Sequence, residues 1–245
     1  MRRINRPALP APTEKALKKK QATANAKRAA GTLNVQQEWN GARKTKPLAT
    51  ALQALKVMAG TRARCMYCGD SHGTDIDHFW PKTPYPQLMF AWTNLVLGCT
   101  ECGRFKGERF PILNGLPQLI DPTAEDPWEF LDFDPGTGNI VARYDTAIGD
   151  WKVKGTETVK HLQLDRREAL AASYQKTHLR IKAVVEQALQ QPALDALILI
   201  EALRHSDDHG LLGWYFTGSG TNESPFREFR TQHPAAWNTC KTELA

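Results

Sequence analysis

The chain has 245 residues, 41% of them hydrophobic and 24% charged, which is enough to bury a core and ordinary for a soluble globular protein. Its formal net charge of +6 is uneven: residues 1–60 hold 13 Lys/Arg against 2 Asp/Glu, and residues 113–245 hold 13 against 19, so polyanion contact is expected from the first half. No apolar run reaches the roughly 18 residues of a membrane span, and the basic N-terminus leads into Pro, Ala and Lys rather than an apolar segment, so membrane insertion and secretion are disfavoured and a cytoplasmic protein is expected.

Residues 1–30 are rich in Pro, Ala and Lys and poor in large apolar side chains, which predicts a flexible basic arm, with 14–30 able to become helical on contact with phosphates or a partner. Residues 31–61 read as an N-terminal helical segment interrupted near Gly41. Its second helix starts at Pro47, shares Leu48, Leu52, Leu55 and Met58 on one face, and stops at Gly60.

Residues 62–112 carry the chemistry. Cys65-Met-Tyr-Cys68 and Cys99-Thr-Glu-Cys102 have zinc-knuckle spacing, and the chain has one other cysteine, Cys240. Four thiolates make a closed structural Zn²⁺ site, and Gly69 and Gly103 follow the two pairs. Between the pairs, Asp75-Ile76-Asp77-His78 alternates as a short strand ended by Pro81, and Cys99 to Lys106 reads as a turn entering a short helix. Arg104, Lys106 and Arg109 then share one side of that helix as phosphate contacts, a solvated basic face being the plainer alternative; Lys82 is a weaker candidate of the same kind.

Residues 113–245 open with turn-rich sequence. EFLDFDPGTGNIVARY then reads as a β-hairpin, and Asp165 as the N-cap of a long helix to about Gln190. Pro192 breaks the pattern before a second, apolar helix in ALDALILIEALRH. Trp214, Tyr215, Phe216, Phe226, Phe229 and Trp237 follow, covering that helical lobe or a partner; Trp214 and Trp237 are the candidate docking residues.

The ordered features C-x-x-C, Asp77-His78, Asn94-Leu95, C-x-x-C and Lys106 resemble the cysteine-clamped branch of the HNH endonuclease family over roughly residues 62–112. DPTAEDPWEFLDFDPGTGNI and Leu164-Asp165-Arg166-Arg167 further resemble the HNH subunit of Septu-type and retron-associated anti-phage systems, the PtuB-like proteins. The resemblance implies an α+β fold. A ββα-metal module clamped by the four-cysteine zinc would be flanked by the N-terminal arm and helix and by a mainly α-helical C-terminal lobe with a β-hairpin.

It also implies a nuclease cleaving phosphodiester bonds, DNA before RNA, with His78 as general base, Asp77 holding catalytic Mg²⁺ or Mn²⁺, and Asn94 constraining the loop or orienting His78. The chemistry is coherent: a neutral His accepts a proton from water at physiological pH, and adjacent residues on a strand point to opposite faces. The implied partners are nucleic acid, an ABC-type (PtuA-like) ATPase, and a retron reverse transcriptase with its RNA–DNA product; no membrane is involved. An RNA-cleaving toxin, for example on tRNA, and a non-catalytic zinc module are the alternatives.

One departure stands out. The family places His or Asn, as a metal ligand, where this chain has Gly103. Three readings follow: Asp75 supplies the replacement oxygen, waters and substrate phosphate fill the gap, or the module serves binding alone. His205 or His209 is a further candidate ligand.

Overall fold

The computed structural model describes residues 1–191 and 193–244 and shows a mixed α and β chain. Its first segment is not the flexible arm expected. Residues Ala11–Ala29 form helix α1, with proline in its first turn, and Met1, Ile4, Leu9, Leu17 and Ala24 are buried. The buried residues of α1, Thr13, Leu17 and Ala24, are spaced four and seven apart, a single narrow stripe that a composition count dilutes away. Polar clasps complete the docking. The Arg6 guanidinium donates to the carbonyls of Trp92 and Leu95 at 2.7 and 2.8 Å. Gln21 accepts from the Phe90 amide at 2.7 Å and donates to Pro86 O at 2.9 Å.

Helix α2 (Val35–Ala42) is N-capped by Asn34, whose side chain accepts from the Gln37 amide. Helix α3 (Lys46–Met58) carries proline in its first turn and buries Leu48, Ala51 and Leu55, with Leu52 and Met58 partly buried against the same core. Gly60, just past its end, has φ +88°, as expected for a glycine at a helix C-terminus.

Strands β1 (Asp75–His78) and β2 (Leu95–Gly98) pair antiparallel, Ile76 facing Leu97 and His78 facing Leu95. Helix α4 (Thr100–Lys106) follows directly. Every residue of β2 is buried, because α3 packs against the sheet. Strands β3 (Ile112–Leu113) and β4 (Leu116–Pro117) form a hairpin whose turn residues Asn114 and Gly115 both have positive φ, the Asn-Gly signature of a tight turn.

The expected hairpin at 129–144 is present as β5 (Leu131–Phe133) and β6 (Ile140–Ala142). A second hairpin follows, β7 (Tyr144–Asp145) with β8 (Asp150–Trp151), then helix α5 (Val153–Leu162), which the sequence reading did not anticipate. The long helix is α6 (Glu168–Leu189); Arg167, not Asp165, occupies its N-cap position and makes no side-chain cap. Pro192, the expected break, lies outside the described residues. Asp195 caps α7 (Ala196–Ser206), accepting from the amides of Leu197 and Ile198.

Helices α8 (Leu211–Thr217), α9 (Phe226–Gln232) and α10 (Pro234–Leu244) complete the chain. Trp214, Tyr215, Phe216, Phe226, Phe229 and Trp237 are all buried; the Tyr215 and Phe226 rings stack at 3.8 Å. Trp214 and Trp237 therefore serve the core and cannot form the docking surface expected of them. One hydrophobic cluster runs from Met1 through Cys65, Leu97 and Tyr174 to Cys240, so the N-terminal helices, the cysteine-rich segment and the C-terminal lobe share a core. Among the described residues, no helix is long and apolar enough to cross a membrane.

Candidate active site beside a four-cysteine cluster

Cys65 and Cys68 sit on the loop before β1, and Cys99 and Cys102 at the start of α4. Gly69 closes the first knuckle, its amide donating to Cys65 O at 2.8 Å. It has φ +67°, and a Cβ there would press to 3.1 Å from the Tyr174 hydroxyl and the His209 carbonyl oxygen. Cys99 is the N-cap of α4, its Sγ accepting from the Cys102 amide at 3.4 Å.

All four buried Sγ atoms lie within 4.8 Å of one another, with Cys68 and Cys99 at 4.0 Å. Tetrahedral Zn²⁺ with about 2.3 Å bonds places sulfurs about 3.8 Å apart, so the donor set fits zinc and leaves no open position. Hydrogen bonds from the neighbouring thiols pull Cys68 well below the ordinary thiol range, while burial pushes Cys65 well above it. Four crowded sulfurs sharing protons in this way are what a dication would resolve. The C-terminal lobe braces the cluster: Tyr174 Oη donates to Cys68 O at 2.9 Å, and the Arg167 guanidinium to Cys102 Sγ at 3.4 Å.

The strand alternation separates the dyad. Asp75 and Asp77 occupy the half-exposed face of β1, Ile76 and His78 the buried one. His78, 4% exposed, lies 2.9 Å through Nε2 from the carbonyl oxygen of Met89. A carbonyl only accepts, so the proton is on Nε2 and Nδ1 keeps its lone pair. The contact with Met89 is made through Nε2, which leaves Nδ1 as the accepting nitrogen of the ring. Trp39 of α2 meets the imidazole edge-on at 4.3 Å. Burial lowers the His78 pKa to about 4, with Asp77 opposing the shift, so the ring is neutral at neutral pH.

Asn94 is buried and fully engaged: Oδ1 accepts from the Trp80 amide at 2.7 Å, and Nδ2 donates to Trp80 O and Leu88 O at 3.0 Å each. It closes the 80–94 loop one residue from Met89, whose carbonyl fixes the His78 tautomer. Trp39, Tyr67 and the Met89 carbonyl were absent from the sequence reading, because each meets His78 or Asp77 only through the fold.

The charged groups differ most from expectation. Lys106 is 1% exposed. Its Nζ donates to His78 O at 2.6 Å and pairs with Asp77 Oδ2 at 3.1 Å, so it is no surface phosphate contact. The small strand-helix separation brings a residue expected on a solvated face into the site. Tyr67 Oη also donates to Asp77 Oδ2, at 2.7 Å. Asp75 Oδ2 is paired with Arg43 at 2.8 Å. Arg104 and Arg109 remain at the surface, and Lys82 is half-buried.

The carboxylates expected to hold Mg²⁺ or Mn²⁺ have protein partners instead. Both carboxylates are engaged by cations, Gly103 offers no side chain, and among the described residues the four cysteines form the one cluster of three or more ligand-type groups. His205 is exposed on α7, where Nδ1 meets Glu201 O. His209 is held between Thr177 and Asp70. Neither joins Asp77.

Two curated proteins are similar over about half of the chain. Protein ea31 of Escherichia phage lambda is 29% identical over 126 residues, covering 48% of this chain and 42% of the relative. The Septu protein PtuB of Bacillus thuringiensis is 26% identical over 121 residues, covering 47% of this chain and 42% of the relative. The matched stretch thus spans less than half of either relative. No family model and no solved structure matches.

Proposed function

We propose that this chain is a nuclease effector of an anti-phage defence complex, with His78 as general base. The observation that carries the reading is the His78 environment. The Met89 carbonyl fixes the proton on Nε2, burial keeps the ring neutral, and Nδ1 keeps its lone pair. Such a group accepts a proton from water as the water oxygen bonds to phosphorus and the P–O bond to the leaving oxygen breaks. Surface Arg104 and Arg109, with Lys82, are the groups available to phosphate oxygens on this part of the molecule. The defence role rests on the similarity to a Septu protein; the ATPase and reverse-transcriptase partners rest on the sequence resemblance.

The direct test is cleavage of DNA and of RNA, tRNA included, by the zinc-loaded protein alone and with the product of any adjacent ATPase gene. His78→Ala should lower the rate by about 10²- to 10⁴-fold. Full cleavage by that variant would remove His78 from the chemistry, and binding of either polymer without His78-dependent product would favour a non-catalytic zinc module.

A further inference from the structure

We infer that Lys106 is the resident cation of the Asp77 carboxylate and that its ammonium, rather than a resident divalent ion, balances the charge there; this rests on the nuclease reading of the same site. Three observations converge. The Lys106 side chain is sequestered, with Nζ 3.1 Å from Asp77 Oδ2 and 2.6 Å from His78 O. The same Oδ2 accepts from Tyr67 Oη at 2.7 Å, so one oxygen of the carboxylate is already held by two donors. Gly103 lies three residues before Lys106 on α4, a spacing that shares a helix face. A Cβ at Gly103 would meet nothing within 4 Å, so a side chain there would be accommodated, and the chain offers none.

The one departure from the expected pattern, Gly103, and the contacts that Lys106 makes are complementary. A ligand is missing, and a monovalent cation is fixed on the carboxylate that would otherwise bind the dication. An ammonium 3.1 Å from Asp77 Oδ2 offsets the negative charge that would draw a divalent ion to that carboxylate. Lys106 does not reach solvent and so is not a phosphate contact. It is a positioning residue that ties Asp77 and the His78 backbone to α4.

The experiment is a titration of the zinc-loaded protein with Mn²⁺ followed by electron paramagnetic resonance, with zinc content and melting temperature checked for every variant. Wild type should leave Mn²⁺ unbound at about 1 mM. Lys106→Met should bind one Mn²⁺ at least about tenfold more tightly than wild type, and adding Asp77→Asn should abolish that binding. Lys106→Arg, which retains the cation, should behave as wild type.

Binding of one Mn²⁺ by wild type that Asp77→Asn removes would overturn the inference. So would a folded, zinc-replete Lys106→Met that binds none. If Lys106→Met does not fold, Gly103→His decides: its imidazole enters open space, and it should still fail to bind Mn²⁺ while Lys106 is in place. Tight binding by that variant would equally overturn the inference. Absence of His78-dependent cleavage would defeat the nuclease reading and leave the Mn²⁺ titration valid.

Discussion

His78 and Asn94 carry two kinds of responsibility that their neighbours distinguish. His78 is held neutral by burial, its pKa falling from 6.5 to about 4. Between those values the unfolded chain binds a proton that the folded chain does not, so stability rises with pH there. The contribution is fully present above pH 6.5 and is lost as pH falls toward 4. Lowering the pH from 7 to 5 should cost about 2 kcal/mol through this group, reaching about 3 kcal/mol below pH ~4. Urea titrations at several pH values check this, and His78→Phe should flatten the dependence. Asn94 makes three buried hydrogen bonds to Trp80 and Leu88. Asn94→Ala leaves those backbone groups unpaired and should cost about 3 kcal/mol, read from the urea midpoint. It should also blur the Met89 contact that sets the His78 tautomer.

Helix α2 packs against the imidazole of His78. It buries only Trp39 and Ala42, and Trp39 is the side chain that covers His78. Its other anchors are surface ion pairs, Lys27–Glu38 and Arg43–Asp75, each worth roughly a few tenths of a kcal/mol to 1 kcal/mol. Trp39→Ala should therefore do two things at once. Loss of the buried indole should cost about 3–5 kcal/mol, and the hydrated imidazole should titrate closer to its ordinary 6.5, which the His78 ring proton resonance reports. An unchanged His78 pKa in a folded variant would mean that α2 does not control its environment. Helix α1 is different in kind: Gln21 on the helix and Arg6 just before it fasten this segment to the backbone of the 86–95 loop, so it stiffens the frame around Asn94 instead of covering His78.

Across the whole molecule, the cysteine cluster joins segments far apart in sequence, and Tyr174 and Arg167 extend it into the C-terminal lobe. Because one core spans these parts, stripping the metal should lower the melting temperature of the entire chain in a single transition, with Cys99→Ser reproducing the effect. Calorimetry showing an unchanged major transition after zinc removal would contradict that coupling. The lobe also redirects the search for a partner surface. Trp214→Ala should cost about 3–5 kcal/mol and so report on folding. Leu197 and Ile198 are 70% and 71% exposed; changing both to Glu should move stability by less than about 1 kcal/mol. Thermal melts of the two variants separate these roles, and only the second can probe docking without unfolding the lobe.

Local chemistry made the cysteine pairs, the Asp77-His78 alternation, the Pro47 helix start and the β5–β6 hairpin legible in the residues alone, because each depends on spacing within a few positions. The capacity of residues 14–30 to be helical was legible, but the packing of α1 onto the core was not, because its buried stripe is one residue wide; the contacts of Lys106 were hidden because a basic residue on a short helix reads as solvated. Both errors have one source. Burial is a property of what packs opposite, and the partners of Lys106, Trp39 and Arg6 come from segments 28, 39 and 86–89 residues away. The sequence determined which chemistries were present. The tertiary structure alone decided that a lysine meets Asp77 and that a tryptophan covers His78, since charge pairing and desolvation act through space and not along the chain.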